Sequence, residues 1–164
     1  MNFEKLACKL AFIYDDNIML IITVFFISIL LLYKNGNINI NYENIYGIII
    51  ICLLTYILEI IIIISKNYFK TSRPCQDRNI ISKCCPATSF DIPSGHTALG
   101  VFHGLILYYT GYKYLSVFFF LQPLFRYIGL QHTLTAIAIG GVYGGIFYKL
   151  FEYLNNKQKN KKLT

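Results

Sequence analysis

Five residues near the ends of apolar blocks in this 164-residue chain carry side chains that can bind anions or move protons. Lys66, Arg73 and Arg126 are cations, and His96 and His132 are imidazoles that titrate near neutral pH. Arginine offers a planar fork of donors that matches phosphate, and lysine offers a compact charge. Three cations at the ends of apolar helices are costly unless an anion joins them. The side chains therefore predict a site for an oxyanion such as phosphate.

The segment Pro93-Ser94-Gly95-His96 comes directly before an apolar block. Glycine lets the backbone approach a ligand closely, and the first N–H groups of a helix point at a bound anion. We therefore expect Ser94 and Gly95 to contribute to the same oxyanion site.

The elements that must position these residues are apolar. The chain has 55% hydrophobic and 14% charged residues, whereas soluble domains have about 25% charged residues. This composition excludes a disordered or nucleic-acid-coating protein. About 20 apolar residues cross a hydrocarbon core, and the fourth of five apolar blocks must run on past Arg126 to do so. The blocks are residues 18–33, 45–65, 97–112, 114–125 and 127–148.

These blocks predict an all-α fold, a multi-pass transmembrane helical bundle of five spans. Residues 1–16 have apolar side chains at helical spacing, which predicts an N-terminal interfacial helix. We expect residues 1–164 to form one membrane-embedded domain, with an active-site loop at 67–95 and a basic tail at 152–164. The tail lysines, with Lys34 and Lys113, place that side in the cytoplasm by the positive-inside rule.

Three groups of residues carry a resemblance to a known family. Lys66 is followed after six residues by Arg73-Pro74, then come Pro93-Ser94-Gly95-His96, and Arg126 is followed after five residues by His132. Their order and spacing resemble the three-part signature of the type-2 phosphatidic acid phosphatase superfamily of integral-membrane lipid phosphatases. The match covers residues 66–136, and five spans are one fewer than the six usual in that family.

The resemblance implies a role for each residue. His132 is the expected nucleophile that forms a phosphohistidine, and His96 is the expected general acid and then base. Lys66, Arg73 and Arg126, with the Ser94 hydroxyl and the Gly95 N–H, are expected to bind the phosphate oxygens. No metal and no cofactor are implied.

Two positions depart from the family pattern. Phe125 stands where the family has Ser, and Ala136 stands where it has the Asp that accepts the second ring N–H of the nucleophilic His. A methyl group offers no acceptor, so position 136 predicts an impaired enzyme. The alternative is a catalytically inactive protein that binds lipid phosphates.

The expected activity is hydrolysis of a lipid phosphomonoester or diphosphate at the outer face of a bacterial cytoplasmic (inner) membrane. The substrate class includes lipid A phosphate, undecaprenyl diphosphate and glycerophospholipid phosphates. The basic loop favours lipid A phosphate among them. The expected partners are this substrate and the bilayer, with no nucleic acid, and the oligomeric state is left open. A transporter or channel is less favoured, because helix packing explains the glycine pairs 140–141 and 144–145 better.

The remaining polar residues allow several interpretations. Buried hydrogen bonding is the favoured role of His103 and Glu59, and the tyrosines at the block ends suggest an interfacial belt. Cys75 is a candidate to pair with Cys84 or Cys85 if the loop faces an oxidising compartment. Three loop cations are either solvated charges or headgroup contacts. They are Lys70, Arg78 and Lys83.

Overall fold

The computed structural model describes residues 42–77 and 90–161, and this part of the chain is all-helical. The predicted interfacial helix 1–16, the predicted span 18–33 and loop residues 78–89 lie outside the described residues. The helices are α1 (Tyr42–Phe69), α2 (Pro74–Asp77), α3 (Gly95–Tyr109), α4 (Lys113–Ile128) and α5 (Leu134–Lys161).

Two of the described helices are long and apolar enough to cross a membrane. They are α1, over Ile45–Phe69, and α5, over Leu134–Gln158. Helices α3 and α4 have 15 and 16 residues, which is about 22–24 Å at 1.5 Å per residue. They are shorter than the hydrocarbon core of about 30 Å.

The predicted fifth block is misplaced along the chain. It was expected at 127–148, but α4 continues to Ile128, residues 129–133 form a turn, and α5 starts at Leu134. Because α5 runs on to Lys161, most of the predicted tail is helical. Hydropathy does not detect the turn, since Leu130 at its centre is itself apolar.

The turn after α4 is a Schellman cap with a leucine in the left-handed position. Leu130 has φ 56°, its N–H donates to the Tyr127 carbonyl, and the Gln131 N–H donates to the Arg126 carbonyl. A left-handed conformation costs a non-glycine residue about 1–2 kcal/mol. The chain accepts this cost at the turn that orients residues 131–133.

The turn after α3 has the same hydrogen bonds with glycine in the left-handed position. Gly111 has φ 100°, its N–H donates to the Tyr108 carbonyl, and the Tyr112 N–H donates to the Leu107 carbonyl. Glycine adopts this conformation without strain. The two caps reverse the chain twice, so α3, α4 and α5 run alternately up and down.

Helix α3 lies at the centre and meets α5 along a face of small residues. A Cβ at Gly140 would lie 2.4 Å from the Ser94 carbonyl oxygen, and one at Gly144 would lie 2.4 Å from the Ala98 carbonyl oxygen. Ala136 is fully buried one turn before Gly140. The expectation that glycines pack helices together is confirmed for Gly140 and Gly144.

Helix α4 packs against α3 through another glycine. A Cβ at Gly100 would lie 2.8 Å from the Phe119 carbonyl oxygen. Pro123, four residues after Phe119, has no N–H to donate to that carbonyl. The carbonyl group that proline leaves without its helical partner therefore rests against α3.

Helix α1 joins the bundle through apolar packing and one buried polar contact. Thr55 Oγ1 and His103 Nε2 are 3.0 Å apart and share a hydrogen bond, which confirms the interpretation of His103 as a buried, hydrogen-bonded residue. The surrounding core contains residues from α1, α3 and α5. It includes Ile51, Leu54, Leu58, Ala98, Phe102, Ile106 and Phe147.

We expect Gly144→Ala to lower the melting temperature of the purified protein in detergent, with a loss of about 1–3 kcal/mol of stability. The new methyl group would meet a backbone carbonyl, which cannot rotate away as a side chain can. Thermal unfolding followed by circular dichroism measures the effect.

Gly145→Ala is the matched control, because nothing lies within 4 Å of a Cβ at this neighbouring position. Alanine favours a helix over glycine by up to about 1 kcal/mol, so the control should be as stable as the parent or more so. Equal melting temperatures for the two variants would contradict the close contact between α3 and α5.

Candidate active site

All five predicted chemical residues lie at one end of the bundle. Lys66 is in the last turn of α1, and Arg126 is in the last turn of α4. His96 is in the first turn of α3, Arg73 comes directly before α2, and His132 is in the turn before α5. The up-and-down order of the helices explains this placement, because α1 and α4 end where α3 and α5 begin.

The charges at this end act on one another. Arg126, His132, Lys66 and Arg73 all lie close enough to His96 for their charges to change its protonation. Arg73 and Arg126 are themselves buried, with 8% and 2% of their surface exposed. The structure therefore brings together the residues that the sequence predicts to bind an oxyanion.

The pKa of His96 follows from this cluster. His96 lies outside the two helices that are long enough to cross a membrane. Burial, followed by the positive charge of Arg126 and the charges of the other three groups, holds the pKa of His96 well below its ordinary value. The His96 imidazole is therefore neutral at pH 7 unless an anion offsets the nearby cations.

His132 forms a hydrogen bond with a buried carboxylate. Its Nδ1 donates a hydrogen bond to Oδ1 of Asp91 over 2.8 Å, and both side chains are almost completely buried. Nε2 of His132 is also buried, and it has no hydrogen-bond partner among the described residues. One ring nitrogen is thus held by a carboxylate while the other retains its lone pair.

Thr133 fixes the Asp91 carboxylate from the other side. Its hydroxyl donates to Oδ2 of Asp91 over 2.6 Å. Its backbone N–H lies 3.2 Å from Oδ1 and 3.3 Å from Oδ2. Asp91 therefore accepts from His132 and from two donors of Thr133.

The pKa shifts of Asp91 and His132 both indicate an ionised carboxylate beside a neutral imidazole. Burial raises the pKa of Asp91, but the hydrogen bonds from His132 and Thr133 outweigh it and leave the pKa below its ordinary value. Burial lowers the pKa of His132 to about 4, although its hydrogen bond to Asp91 opposes the shift. At pH 7 the proton of the neutral ring is on Nδ1, since Nδ1 faces the carboxylate.

The expectation that His132 lacks a carboxylate partner is wrong. Position 136 does hold a methyl group, but Asp91, which lies 41 residues before His132, is the acceptor. Ala136 lies on the small face of α5, and its carbonyl oxygen accepts a hydrogen bond from the Ser94 N–H over 3.0 Å. A carboxylate at this position would have to fit where α5 touches the start of α3.

Sequence reasoning missed Asp91 and its partner Thr133. One signal was available, because Asp77 and Asp91 are the only acidic residues between positions 60 and 151, and Asp91 immediately precedes the segment Ile92-Pro93-Ser94. A search for the nearest carboxylate to the motifs would have suggested it. The spacing within the third motif, from Arg126 to His132, could not have suggested Asp91, because Asp91 lies outside that motif.

Ser94 and Gly95 shape the start of α3. The Ser94 hydroxyl is fully buried and accepts hydrogen bonds from the Thr97 hydroxyl, over 2.9 Å, and from the Thr97 N–H, over 3.4 Å. Ser94 is therefore the N-cap of α3. A Cβ at Gly95 would lie 3.3 Å from the Ile62 side chain, so α1 approaches closely here.

Hydrogen bonds tie the segment after α1 to the segment before α3. The Asp91 N–H donates to the Thr71 carbonyl over 2.9 Å, and the Ile92 N–H donates to the Thr71 hydroxyl over 3.1 Å. Arg73 Nε donates to the Phe90 carbonyl over 3.4 Å. These hydrogen bonds fix the position of Arg73 relative to Asp91.

A second connection joins the segment after α1 to the turn that carries His132. The Cys75 N–H donates to the Leu130 carbonyl over 3.1 Å. Cys75 is buried and disulfide-bonded, which confirms that this loop cysteine forms a disulfide. Its partner lies outside the described residues, so the choice between Cys84 and Cys85 stays open.

The remaining loop cations are less informative. Lys70 is exposed and has φ 48° at the end of α1, while Arg78 and Lys83 lie outside the described residues.

Comparisons with protein-family models, with curated proteins and with solved structures find no match for this chain.

Proposed function

We propose that this protein is a membrane lipid phosphatase that hydrolyses a phosphomonoester or diphosphate of a lipid headgroup through a phosphohistidine on His132. One observation carries the proposal. His132 is buried at the end of the bundle, where the charges of Lys66 and Arg73 act on it. Its Nδ1 is oriented by Asp91, and its Nε2 has no partner among the described residues. This is the arrangement that a nucleophilic imidazole needs.

The surface of the two long helices supports a lipid environment. Helix α1 buries one face and exposes large apolar side chains on the other, and α5 does the same. In water such faces would be costly, whereas lipid chains cover them. The exposed residues include Ile49, Leu53, Tyr56, Ile63, Ile64, Val142 and Ile146.

The finer membrane assignment belongs to the same proposal. We infer five spans with an N-terminal interfacial helix in a bacterial cytoplasmic membrane, with the tail in the cytoplasm and the site at the outer face. Lipid phosphates then reach the site laterally within the bilayer. The substrate class is a lipid A phosphate, undecaprenyl diphosphate or a glycerophospholipid phosphate.

In the first step, Nε2 of His132 attacks phosphorus. The N–P bond forms as the P–O bond to the lipid breaks, and protonated His96 gives its proton to the departing oxygen. Lys66, Arg73 and Arg126 stabilise the negative charge on the non-bridging oxygens. Asp91 stabilises the positive charge that develops on the His132 ring, as the carboxylate of a serine-protease triad does.

Substrate binding allows His96 to take up, from solvent, the proton that it needs. Without an anion, His96 is held neutral by burial and by its cationic neighbours. A dianionic phosphate among those cations reverses the local field, so the His96 pKa rises in the complex. In the second step His96 accepts a proton from water, the hydroxide attacks phosphorus, and the N–P bond breaks to release inorganic phosphate.

The inactive lipid-phosphate binder is the weaker alternative. It was suggested by the alanine at position 136, on the assumption that His132 had no carboxylate to orient it. Because Asp91 accepts the Nδ1 hydrogen bond, that argument for inactivity no longer applies.

Asp91→Asn should reduce phosphate release by about 10²- to 10⁴-fold, since the equivalent change in a serine protease costs about 10⁴. An asparagine would face two Thr133 donors and one His132 donor with a single acceptor oxygen. The assay measures the inorganic phosphate that the purified full chain, in detergent with EDTA, releases from lipid phosphates. The substrates are lipid A, undecaprenyl diphosphate, phosphatidate and phosphatidylglycerophosphate.

Glu152→Gln is the matched carboxylate-to-amide control. Glu152 pairs with Lys149 on the exposed surface of α5, so its variant should keep the parent activity. Wild-type protein that binds these lipids but releases phosphate from none of them would disprove the proposed activity. Full activity in Asp91→Asn would disprove the role of Asp91.

His132→Ala should abolish turnover, because it removes the proposed nucleophile. His96→Gln should form the intermediate from a diphosphate, whose leaving group needs little protonation, but should hydrolyse it slowly. Mass spectrometry under alkaline conditions, where phosphohistidine survives, should find the phosphate on His132. Phosphate on another residue, or turnover by His132→Ala, would refute the nucleophile assignment.

Ala136→Asp should not increase activity. Its side chain would enter the contact between α5 and the start of α3, and His132 already has an acceptor in Asp91. The same phosphate-release assay, with the melting temperature as a check on folding, measures the effect. An increase of tenfold or more would mean that Asp91 does not serve as the working acceptor.

A further inference from the structure

Two neighbouring residues hold the unsatisfied polar atoms of the site. Among the described residues, the buried side-chain nitrogen and oxygen atoms without a hydrogen-bond partner are Nε2 of His132 and Nε2 of Gln131. The first is the proposed nucleophile. The second belongs to a glutamine that is completely buried and that neither the motifs nor the proposed mechanism uses.

The orientation of the Gln131 amide follows from its partner. Its Oε1 accepts a hydrogen bond from a terminal nitrogen of Arg126. Because a guanidinium has donors only, the amide oxygen must face Arg126 and the NH₂ group must face elsewhere. A buried NH₂ group without an acceptor is unfavourable, so this side chain has a reason to bind an acceptor.

Gln131 lies next to the cations and imidazoles of the site. Arg126 and His132 both act electrostatically on His96, and Gln131 is bonded to the first and adjacent in sequence to the second. The Schellman cap also fixes its backbone, because the Gln131 N–H donates to the Arg126 carbonyl over 3.0 Å. The side chain and the backbone N–H of Gln131 therefore both form hydrogen bonds with Arg126.

We propose that Gln131 is a phosphate-binding residue, which holds Arg126 through Oε1 and donates an Nε2–H hydrogen bond to an oxygen of the same phosphate. The ligand is the tetrahedral phosphate group, whether on a lipid or free in solution. This inference rests on the proposed function, because it takes the ligand of the cationic cluster to be phosphate.

The test measures the affinity of the full chain in detergent for radiolabelled inorganic phosphate by equilibrium dialysis. Gln131→Met has nearly the same shape without the amide and should weaken binding by about tenfold or more, the effect of one hydrogen bond to a charged group. Gln158→Met is the matched control on the far part of α5 and should leave the affinity unchanged.

A double-mutant cycle separates direct binding from positioning. If Gln131 donates to phosphate itself, Gln131→Met still weakens binding in an Arg126→Met background. If Gln131 acts only by holding Arg126, the second substitution has no further effect, and the direct hydrogen bond is refuted.

Gln131→Glu covers the case in which the methionine variant does not fold, since it keeps an acceptor for Arg126. At pH 8 it loses the donor and should bind phosphate at least tenfold more weakly than the parent. Parent-like affinity at pH 8 would overturn the proposal.

Hydrolysis of the lipid phosphates is measured with the same preparations. If Gln131 variants lose phosphate affinity but the wild-type chain hydrolyses no lipid phosphate, the proposed function fails and the role of Gln131 stands. If the wild type hydrolyses lipid phosphates and Gln131→Met binds phosphate like the parent, the role of Gln131 fails alone.

Discussion

The hydrogen bond between buried Asp91 and buried His132 sets the requirements for the rest of the site. An ionised carboxylate inside a protein is tolerated only when its oxygens are well paired. Thr133 supplies the other donors, and Thr71 holds the backbone of Asp91. The segments after α1, before α3 and before α5 must therefore meet in one arrangement. Among the described residues, Nε2 of His132 has no hydrogen-bond partner, so the contact that stabilises the fold orients the proposed nucleophile.

The close contact between α3 and α5 explains why the carboxylate comes from Asp91. Backbone carbonyls of α3 lie where Cβ atoms at Gly140 and Gly144 would be, and Ala136 continues this face towards the site. A bulky polar side chain at 136 would push the two helices apart. A carboxylate from the segment before α3 reaches the same ring nitrogen without entering the contact. The close packing of α3 against α5 and the hydrogen bond to His132 are thus compatible, because the acceptor comes from position 91.

The cations of the site create a field that only an anion relieves. Lys66, Arg73 and Arg126 act on His96, and Lys66 and Arg73 act on His132. Together with burial, these charges favour the neutral form of both imidazoles. A neutral ring suits His132, which must attack with a lone pair, whereas His96 needs a proton to act as an acid. In the proposed mechanism, a phosphate bound among the cations removes this difference, because its negative charge raises the pKa of His96. The unpaired amide of Gln131 offers one more donor to such an anion.

The all-helical class and the grouping of the site residues at one end of the bundle could be predicted from the sequence, because hydropathy and motif spacing are local properties. The sequence predicted Lys66, Arg73, His96, Arg126 and His132 together, but it misplaced the start of α5, since Leu130 is apolar and closes its cap by backbone geometry alone. The packing of the helices and loops determines which carboxylate accepts the hydrogen bond from His132 and which glutamine accepts one from Arg126. Asp91 lies 41 residues from His132, and a contact at such separation depends on how loops and helices pack, which no spacing within a motif records.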